Sequence, residues 1–356
     1  MSSIPLRADM SALSRPDFPR ILIVDDSVVA RAVIARAIEA SGRFIVAGNV
    51  GNADAALSFL RQNRVDAIIL DIEMPGVSGL AALPDLITAG LGAKVLIVSS
   101  SCGEGATATI EALALGAADT LVKPEAGGFT GGFSQAISEK LLRLFEIAPT
   151  GVAVISTNAS QAATSFDIVA IGASTGGIHA LSLLLREIPA GFPLPILVTQ
   201  HLPTSFMPYF AAQISVLAAR PCDVATDHMR VRPGRVIIAP GDAHMRVVAS
   251  GDGAAIRLTT EPSRSGCMPS VDPMFDSLAE LYGPRALGIV LSGMGRDGAD
   301  GAQRMVGRGA SVVVQDQASS VVWGMPGAVA ANGSASAILT PVEIGKLIAA
   351  RRRPGC

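Results

Sequence analysis

Ser174, His201 and Asp297 are the residues of this 356-residue chain best suited to acyl transfer. Ser174 sits in Gly172-Ala173-Ser174-Thr175-Gly176-Gly177, between the apolar run Ile168–Ile171 and a helical pattern over Ile178–Leu185. This is G-x-S-x-G at a strand-to-helix turn: the glycines permit a sharp bend, and the helix N-terminus presents free N–H groups and a positive dipole end. Taken alone, such a turn is at least as often a phosphate or dinucleotide loop. The spacing, however, is not G-x-G-x-x-G, and no lysine follows as in a P-loop. A serine hydroxyl needs a base, and the histidines are His179, His201, His228 and His244. His179 lies five residues after Ser174 on the same helix and points away from the turn. His201 directly follows the strand-like run Ile196–Thr199, and Asp297, in Gly293-Met294-Gly295-Arg296-Asp297-Gly298, follows Leu287–Leu291. Serine, histidine and acid each follow a strand of one sheet, as a triad requires. The bland alternative for Asp297 is a cap for a helix beginning near Gly298. Because no histidine follows His244, the order serine–acid–histidine of the α/β-hydrolases is excluded.

A second constellation is acidic. Asp25 and Asp26 end the run Ile21–Val24, Asp71 ends Ala67–Leu70, Ser99 ends Val95–Val98, and Lys123 ends Thr120–Val122. In a parallel sheet ligands gather at the carboxyl ends of strands, so these groups converge on one edge. Close carboxylates repel; a hard cation such as Mg²⁺ suits their oxygens, and Lys123 adds a second positive charge. One carboxylate is then left to act as a nucleophile toward a phosphoryl donor.

The elements that must position these groups alternate along the chain. Helical patterns over about Ser27–Ala40, Ala53–Gln62, Ala106–Leu115 and Phe133–Phe145 separate the strands just named and Phe44–Val50. This predicts an α/β domain of three layers, a parallel sheet covered on both faces. A second strand–helix series begins at Asp167, with strands Ile168–Ile171, Ile196–Thr199, Val236–Ala239, Leu287–Leu291, Val312–Gln315 and Ala337–Leu339. Met245–Thr259, centred on Ser250-Gly251-Asp252-Gly253, reads as an inserted hairpin. The boundaries expected are a flexible arm 1–19, a domain 20–146, a small, polar linker 147–166, a domain 167–350 and a basic tail 351–356.

With 28 basic against 30 acidic side chains, the chain has no global attraction for nucleic acid or anionic lipid, and no basic recognition-helix pattern appears. An apolar fraction of 49% excludes a disordered chain. Cys102, Cys222, Cys267 and Cys356 are sparse and unpatterned, which argues against a disulfide framework or zinc cluster and suits a reducing cytosol. Mean hydropathy is +0.46, yet the uncharged stretches Glu187–Arg220 and Asp316–Glu343 are interrupted by polar residues, Pro and Gly. The N-terminus has no apolar core, so a cytoplasmic protein without membrane insertion is expected.

ILIVDDS, LDIEMPGVSGL, VSS and VKP resemble the receiver domain of two-component response regulators over roughly residues 20–146. The resemblance implies Asp71 as phospho-acceptor, Asp25 and Asp26 as the acidic pocket, and the Glu73 carbonyl as a further Mg²⁺ ligand. Ser99 and Lys123 would sense the phosphoryl group. Where many receivers carry a switch aromatic, this chain has Thr120. GASTGG, PLPILVTQHLP, PGRVIIAPGDAHM, PSVDPMF, GIVLSGMGRDGADG and VVVQDQASSVVWGMPGAV resemble the chemotaxis protein-glutamate methylesterase family, CheB, over roughly residues 167–345. This implies a flavodoxin-like (βα)5 receiver followed by a Rossmann-like methylesterase domain. The implied reaction is hydrolysis of γ-glutamyl methyl esters on methyl-accepting chemoreceptors, with deamidation of receptor glutamines. A histidine kinase of the CheA type is the implied phosphodonor, and the unphosphorylated receiver is expected to cover the catalytic cleft. The resemblance also points to the Met294 amide for the oxyanion and to Thr175 for aligning His201. Before PSVD the family usually has His-Arg, and this chain has Cys267-Met268. Cys267 reads as an ordinary, partly buried thiol because no histidine motif accompanies it, and Asp242 and His244 read as structural or substrate-side groups. The alternatives are a phosphorylation-controlled interaction protein without catalysis and a general small-molecule esterase.

Overall fold

Apolar strands buried on both faces need helices on both sides of the sheet. The computed structural model, which describes residues 18–99, 103–123, 131–145, 165–251 and 253–351, has this arrangement twice. In the first unit β1 (Arg20–Val24), β2 (Ile45–Val50), β3 (Ala67–Asp71), β4 (Lys94–Ser99) and β5 (Asp119–Val122) form a parallel sheet in the order β2-β1-β3-β4-β5. The intervening helices are α1 (Val28–Ala40), α2 (Ala53–Leu60), α3 (Gly79–Gly90), α4 (Gly103–Leu115) and α5 (Gly131–Leu144). β3, read AIILD, is buried at every position, as the central strand of a covered sheet must be. The sequence pattern did not reveal α3, because Pro84 interrupts its interior and removes a backbone donor. Two local features still start this helix: Ser78 accepts a hydrogen bond from the Ala81 amide, and Gly79 lies so close to β3 that a Cβ there would come within 2.0 Å of the Asp71 carbonyl oxygen.

The second unit runs β6 (Ile168–Ala173), α6 (Gly177–Arg186), β7 (Ile196–Gln200), α7 (Met207–Leu217), β8 (Cys222–Val224) and β9 (Val236–Ile238). The hairpin β10 (His244–Ser250) and β11 (Gly253–Thr259) follows, then α8 (Val271–Leu281), β12 (Ala286–Val290), α9 (Ala299–Gly307), β13 (Ser311–Gln315), α10 (Gly324–Ala331), β14 (Ala337–Leu339) and α11 (Pro341–Ala349). Among the described residues the sheet order is β14-β13-β12-β6-β7-β9-β8, all parallel. The strand β8, three half-buried residues at an edge, has too little pattern to be read from sequence. The hairpin forms as expected in a separate antiparallel pair, with Gly251 at φ +58° supplying the left-handed turn.

From β6 the chain winds outward through β7 on one side, then returns to place β12 on the other. This is a topological switch point, and a crevice opens there at the carboxyl ends of the strands. Residues 1–17 of the arm, 146–164 of the linker region and 352–356 of the tail lie outside the described residues. Among the described residues no helix is long and apolar enough to cross a membrane.

Candidate active site

The three strands at the switch point carry the three sequence-predicted residues. Ser174 follows β6, His201 follows β7 on one side, and Asp297 lies in the loop after β12 on the other. The backbone draws them together: the His201 amide donates to the Ala173 carbonyl (3.1 Å), and the Ser174 amide donates to the Ser292 carbonyl (3.0 Å). Gly176, at φ +75°, makes the bend that starts α6. Gly293 lets the loop after β12 approach: a Cβ there would sit 2.9 Å from the Ser174 Cβ and 2.3 Å from the Met325 sulfur. The Met294 amide is therefore in the turn that lies directly against Ser174.

His201 Nε2 is 2.8 Å from Asp297 Oδ2, and Asp297 is buried. Burial disfavours the imidazolium, but the hydrogen bond and charge of Asp297, together with the neighbouring Cys267, outweigh it and push His201 up to about 9. Burial also opposes the Asp297 carboxylate; its bonds to His201, Ser270 and the Val271 amide prevail and hold it down at about 2. The Nε2 nitrogen being committed to Asp297, Nδ1 is the nitrogen left for proton transfer. Ser174 and His201 line one cleft of about 260 Å³, together with Cys267, Thr175 and Gln200.

Asp297 does not cap the helix that follows it, since the N-cap position of α9 is Gly298 and no side chain caps it. It instead accepts from the first amide of α8, Val271 N (2.8 Å), and from Ser270 Oγ (2.6 Å). Asp272 on α8 reciprocates by accepting from the Gly301 amide of α9 (2.7 Å). The Ser270 amide donates to His244 Nδ1 (2.9 Å), and His244 Nε2 lies 2.8 Å from the Glu261 carbonyl. Buried His244 is thus a structural group with a fixed tautomer, Nε2–H, two steps behind the acid. Ser270 went unnoticed in the sequence; a serine before a helix reads as a cap, and its reach to Asp297 is not local.

Cys267 is a second departure. Its sulfur, a ligand nitrogen of His201 and a carboxylate oxygen of Asp297 lie within 4.8 Å of one another. The reason for setting this thiol aside, that no histidine accompanies it in the sequence, fails in space, because the loop before α8 brings it to His201.

The first unit packs over this cleft. The Gly176 amide donates to the Ala118 carbonyl (2.8 Å), Thr175 Oγ1 donates to Asp119 Oδ2 (3.1 Å), and His179 Nδ1 lies 2.9 Å from the Ala114 carbonyl. Helix α4 packs on α6 and α7, and Met294, Val321 and Val322 join the apolar cluster of the first unit. Thr175, expected to align His201, has its hydroxyl engaged by Asp119 here, and Asp119 Oδ1 is held by Lys140 at 2.7 Å. Removing that carboxylate with Asp119→Ala deletes a contact worth about 1 kcal/mol and is expected to raise basal turnover about fivefold. Hydrolysis measured without phosphodonor checks this; an unchanged rate assigns the bond no part in closure.

In the first unit, Asp25, Asp26 and Asp71 bring one carboxylate oxygen each within 4.8 Å of one another. Lys123 Nζ pairs with Asp71 Oδ2 (2.7 Å) and Asp25 Oδ2 (3.1 Å). Buried Asp25 Oδ2 has this Lys123 contact and no hydrogen bond of good geometry beyond it. Desolvation raises the Asp71 pKa and Lys123 opposes it, so an added cation is favoured. Ser27 caps α1, the Glu73 amide donates to Asp71 Oδ1 (3.1 Å), and Ser99 is hydrogen-bonded to Thr109 of α4. Thr120 points inward, its hydroxyl buried without a partner.

Nearly the whole chain is similar to known proteins. The profile of the CheB methylesterase family matches residues 169–348, and that of the response regulator receiver domain matches residues 21–128. A protein-glutamate methylesterase/protein-glutamine glutaminase of Paramagnetospirillum magneticum is 38% identical over 94% of this chain and 97% of its own length. One from Caulobacter vibrioides is 40% identical over 94% of this chain and 99% of its own length. The crystal structure of the Thermotoga maritima CheB methylesterase catalytic domain superposes with a TM-score of 0.51 at 34% identity, covering 52% of this chain and 99% of that one. A receiver and a methylesterase unit in one chain, with family likeness along nearly all of it, make this protein a member of the CheB family of protein-glutamate methylesterases/protein-glutamine glutaminases.

Proposed function

We propose that Ser174, His201 and Asp297 carry the methylesterase reaction of this family, on γ-glutamyl methyl esters of chemoreceptors, and the matching deamidation of receptor glutamines. The observation that carries the reading is the pairing of buried Asp297 with half-buried His201 beside Ser174, at the ends of three adjacent strands. Ser174 Oγ attacks the ester carbonyl while His201 takes its proton at Nδ1, and Asp297 stabilises the imidazolium and fixes the ring. The Met294 amide, in the turn against Ser174, donates to the oxyanion. His201 returns the proton to the departing methoxide, and methanol leaves. Water, deprotonated by His201, then cleaves the glutamyl-serine ester and restores Ser174. With glutamine as substrate, ammonia leaves in place of methanol.

Control comes from the receiver. The pocket of Asp25, Asp26, Asp71 and the Glu73 carbonyl fits Mg²⁺, an oxygen-ligated cation that neutralises phosphoryl and carboxylate charge when bound. Asp71 accepts the phosphoryl group from a histidine kinase of the CheA type, and Lys123 and Ser99 contact it. A phosphoryl group at Asp71 draws Ser99 from Thr109 on α4, and α4 is the helix that packs on α6 and α7. Loosening α4 exposes the cleft to receptor helices in the cytoplasm. Asp71→Asn tests the scheme: acetyl phosphate with Mg²⁺ should raise hydrolysis by the unaltered chain and leave the variant at its basal rate. Equal activation of both would remove Asp71 from the switch.

A further inference from the structure

Among the described residues there are two clusters in which three potential metal ligands come within 4.8 Å of one another, and they differ in chemistry. Asp25, Asp26 and Asp71 offer only oxygen, a set for hard cations. His201, Cys267 and Asp297 offer nitrogen, sulfur and oxygen, the donor set of zinc sites that keep an open fourth position. We propose that His201, Cys267 and Asp297 form a binding site for a thiophilic divalent cation, Zn²⁺ in the first instance, and that its occupation stops hydrolysis.

The local structure favours a built site over a chance encounter. Cys267 is half-buried and lines the cleft beside Ser174, so an ion reaches it by the substrate's own route. The loop that carries it is tied back on itself: the Ser263 hydroxyl donates to the Cys267 carbonyl (3.0 Å), and the Cys267 amide donates to Ser265 Oγ (3.3 Å). Zinc bonds of about 2.0–2.3 Å in a tetrahedron set neighbouring ligands roughly 3.3–3.7 Å apart, so shifts on the order of 1 Å complete the coordination. Outer-shell support is already present, because Ser270 Oγ and the Val271 amide hold the Asp297 carboxylate from behind. The thiol proton is released on binding, and the open position accepts water. An ion so placed takes the imidazole away from Ser174, which leaves the nucleophile without a base. Cys267 makes no bond-forming step of the ester reaction, so a chain without its thiol can still hydrolyse when no metal is bound.

The inhibition arm of the test rests on the esterase reading; the spectroscopic arm does not. Full-length protein, reduced with a phosphine and freed of metal, is titrated with Zn²⁺ during ester hydrolysis and, separately, with Co²⁺ in the near-ultraviolet. The unaltered chain should lose activity with added Zn²⁺ and regain it with a chelator, and Co²⁺ should give a thiolate-to-metal charge-transfer band. Cys267→Ser should still hydrolyse the ester without metal and, measured against its own metal-free rate, should need at least about tenfold more Zn²⁺ for half-inhibition and lose the band. Cys267→Ala provides a second variant should the serine form fold poorly. The acidic pocket cannot mimic the result, since it has no sulfur to give the band. Equal Zn²⁺ sensitivity of unaltered and Cys267-substituted chains, or a Co²⁺ band that survives the substitution, overturns the proposal; so does an unaltered chain that Zn²⁺ leaves fully active.

Discussion

Ser174→Ala should lower methyl-ester hydrolysis by a factor on the order of 10⁴ or more while leaving the melting transition in place. The size follows from the role assigned to the hydroxyl. Without Oγ no glutamyl-serine intermediate forms, and the oxyanion turn and His201 can only assist direct attack by water. The fold should tolerate the change because the Ser174 backbone, not its hydroxyl, makes the bonds that tie the turn together. Its amide donates to Ser292, and its carbonyl accepts from Gln200 Nε2 (3.0 Å) and from the Gly177 amide (2.8 Å). Turnover on methylated receptor and a thermal melt, run on the same preparation, check both halves. A variant that keeps a tenth of the rate would remove Ser174 from the chemistry.

Asp297→Asn should cost about 10⁴ in turnover by a different route, since an amide can neither stabilise the imidazolium nor enforce the working tautomer. It should also move the pH profile. His201 is the base and must be neutral, so the rate rises with pH as it loses its proton, and Asp297 holds that event up at about 9. Removing the negative charge lets burial dominate, and the alkaline limb of the residual rate shifts to lower pH. The linked stability has a definite sign. The raised His201 contributes stabilisation that is complete below its unfolded value of 6.5 and fades as pH climbs to about 9. The depressed Asp297 contributes stabilisation that is complete above its unfolded value of 3.8 and fades as pH falls toward about 2. The stability gap between unaltered chain and variant should therefore be widest between these two unfolded values and narrow above pH 9. A gap that widens with alkalinity contradicts the pairing.

Much of this site is written in short stretches of sequence. Ser174, His201 and Asp297 each follow an apolar run of strand length, and a parallel sheet brings strand ends together, so residue type and position suffice to nominate them. The same holds for Asp25, Asp26, Asp71 and Lys123. What stays hidden depends on long-range loop paths. Cys267 meets His201 only because the segment between β11 and α8 turns back over the cleft, and no periodicity records that path. His244 lies on a hairpin strand and Ser270 just ahead of a helix; the first meets the second through a backbone amide, and the Ser270 hydroxyl reaches Asp297 across the fold. The alternative of Asp297 as a cap for α9 is not what the fold makes of it, yet it does cap a helix, the neighbouring α8. The contact of Asp119 with Thr175 joins two units whose strands and helices are each built from their own stretch of sequence, so neither stretch records it. Helix α3 is hidden for the opposite reason, a local signal at Pro84 that the surrounding packing overrides.

The most direct test of the account is methanol release from methylated chemoreceptor membranes, measured for the full-length chain with and without acetyl phosphate and Mg²⁺, beside Ser174→Ala. The account predicts release that rises with the phosphodonor and is absent from the variant under both conditions. Release that persists without Ser174, or no release from methylated receptor by the phosphorylated chain, would contradict it.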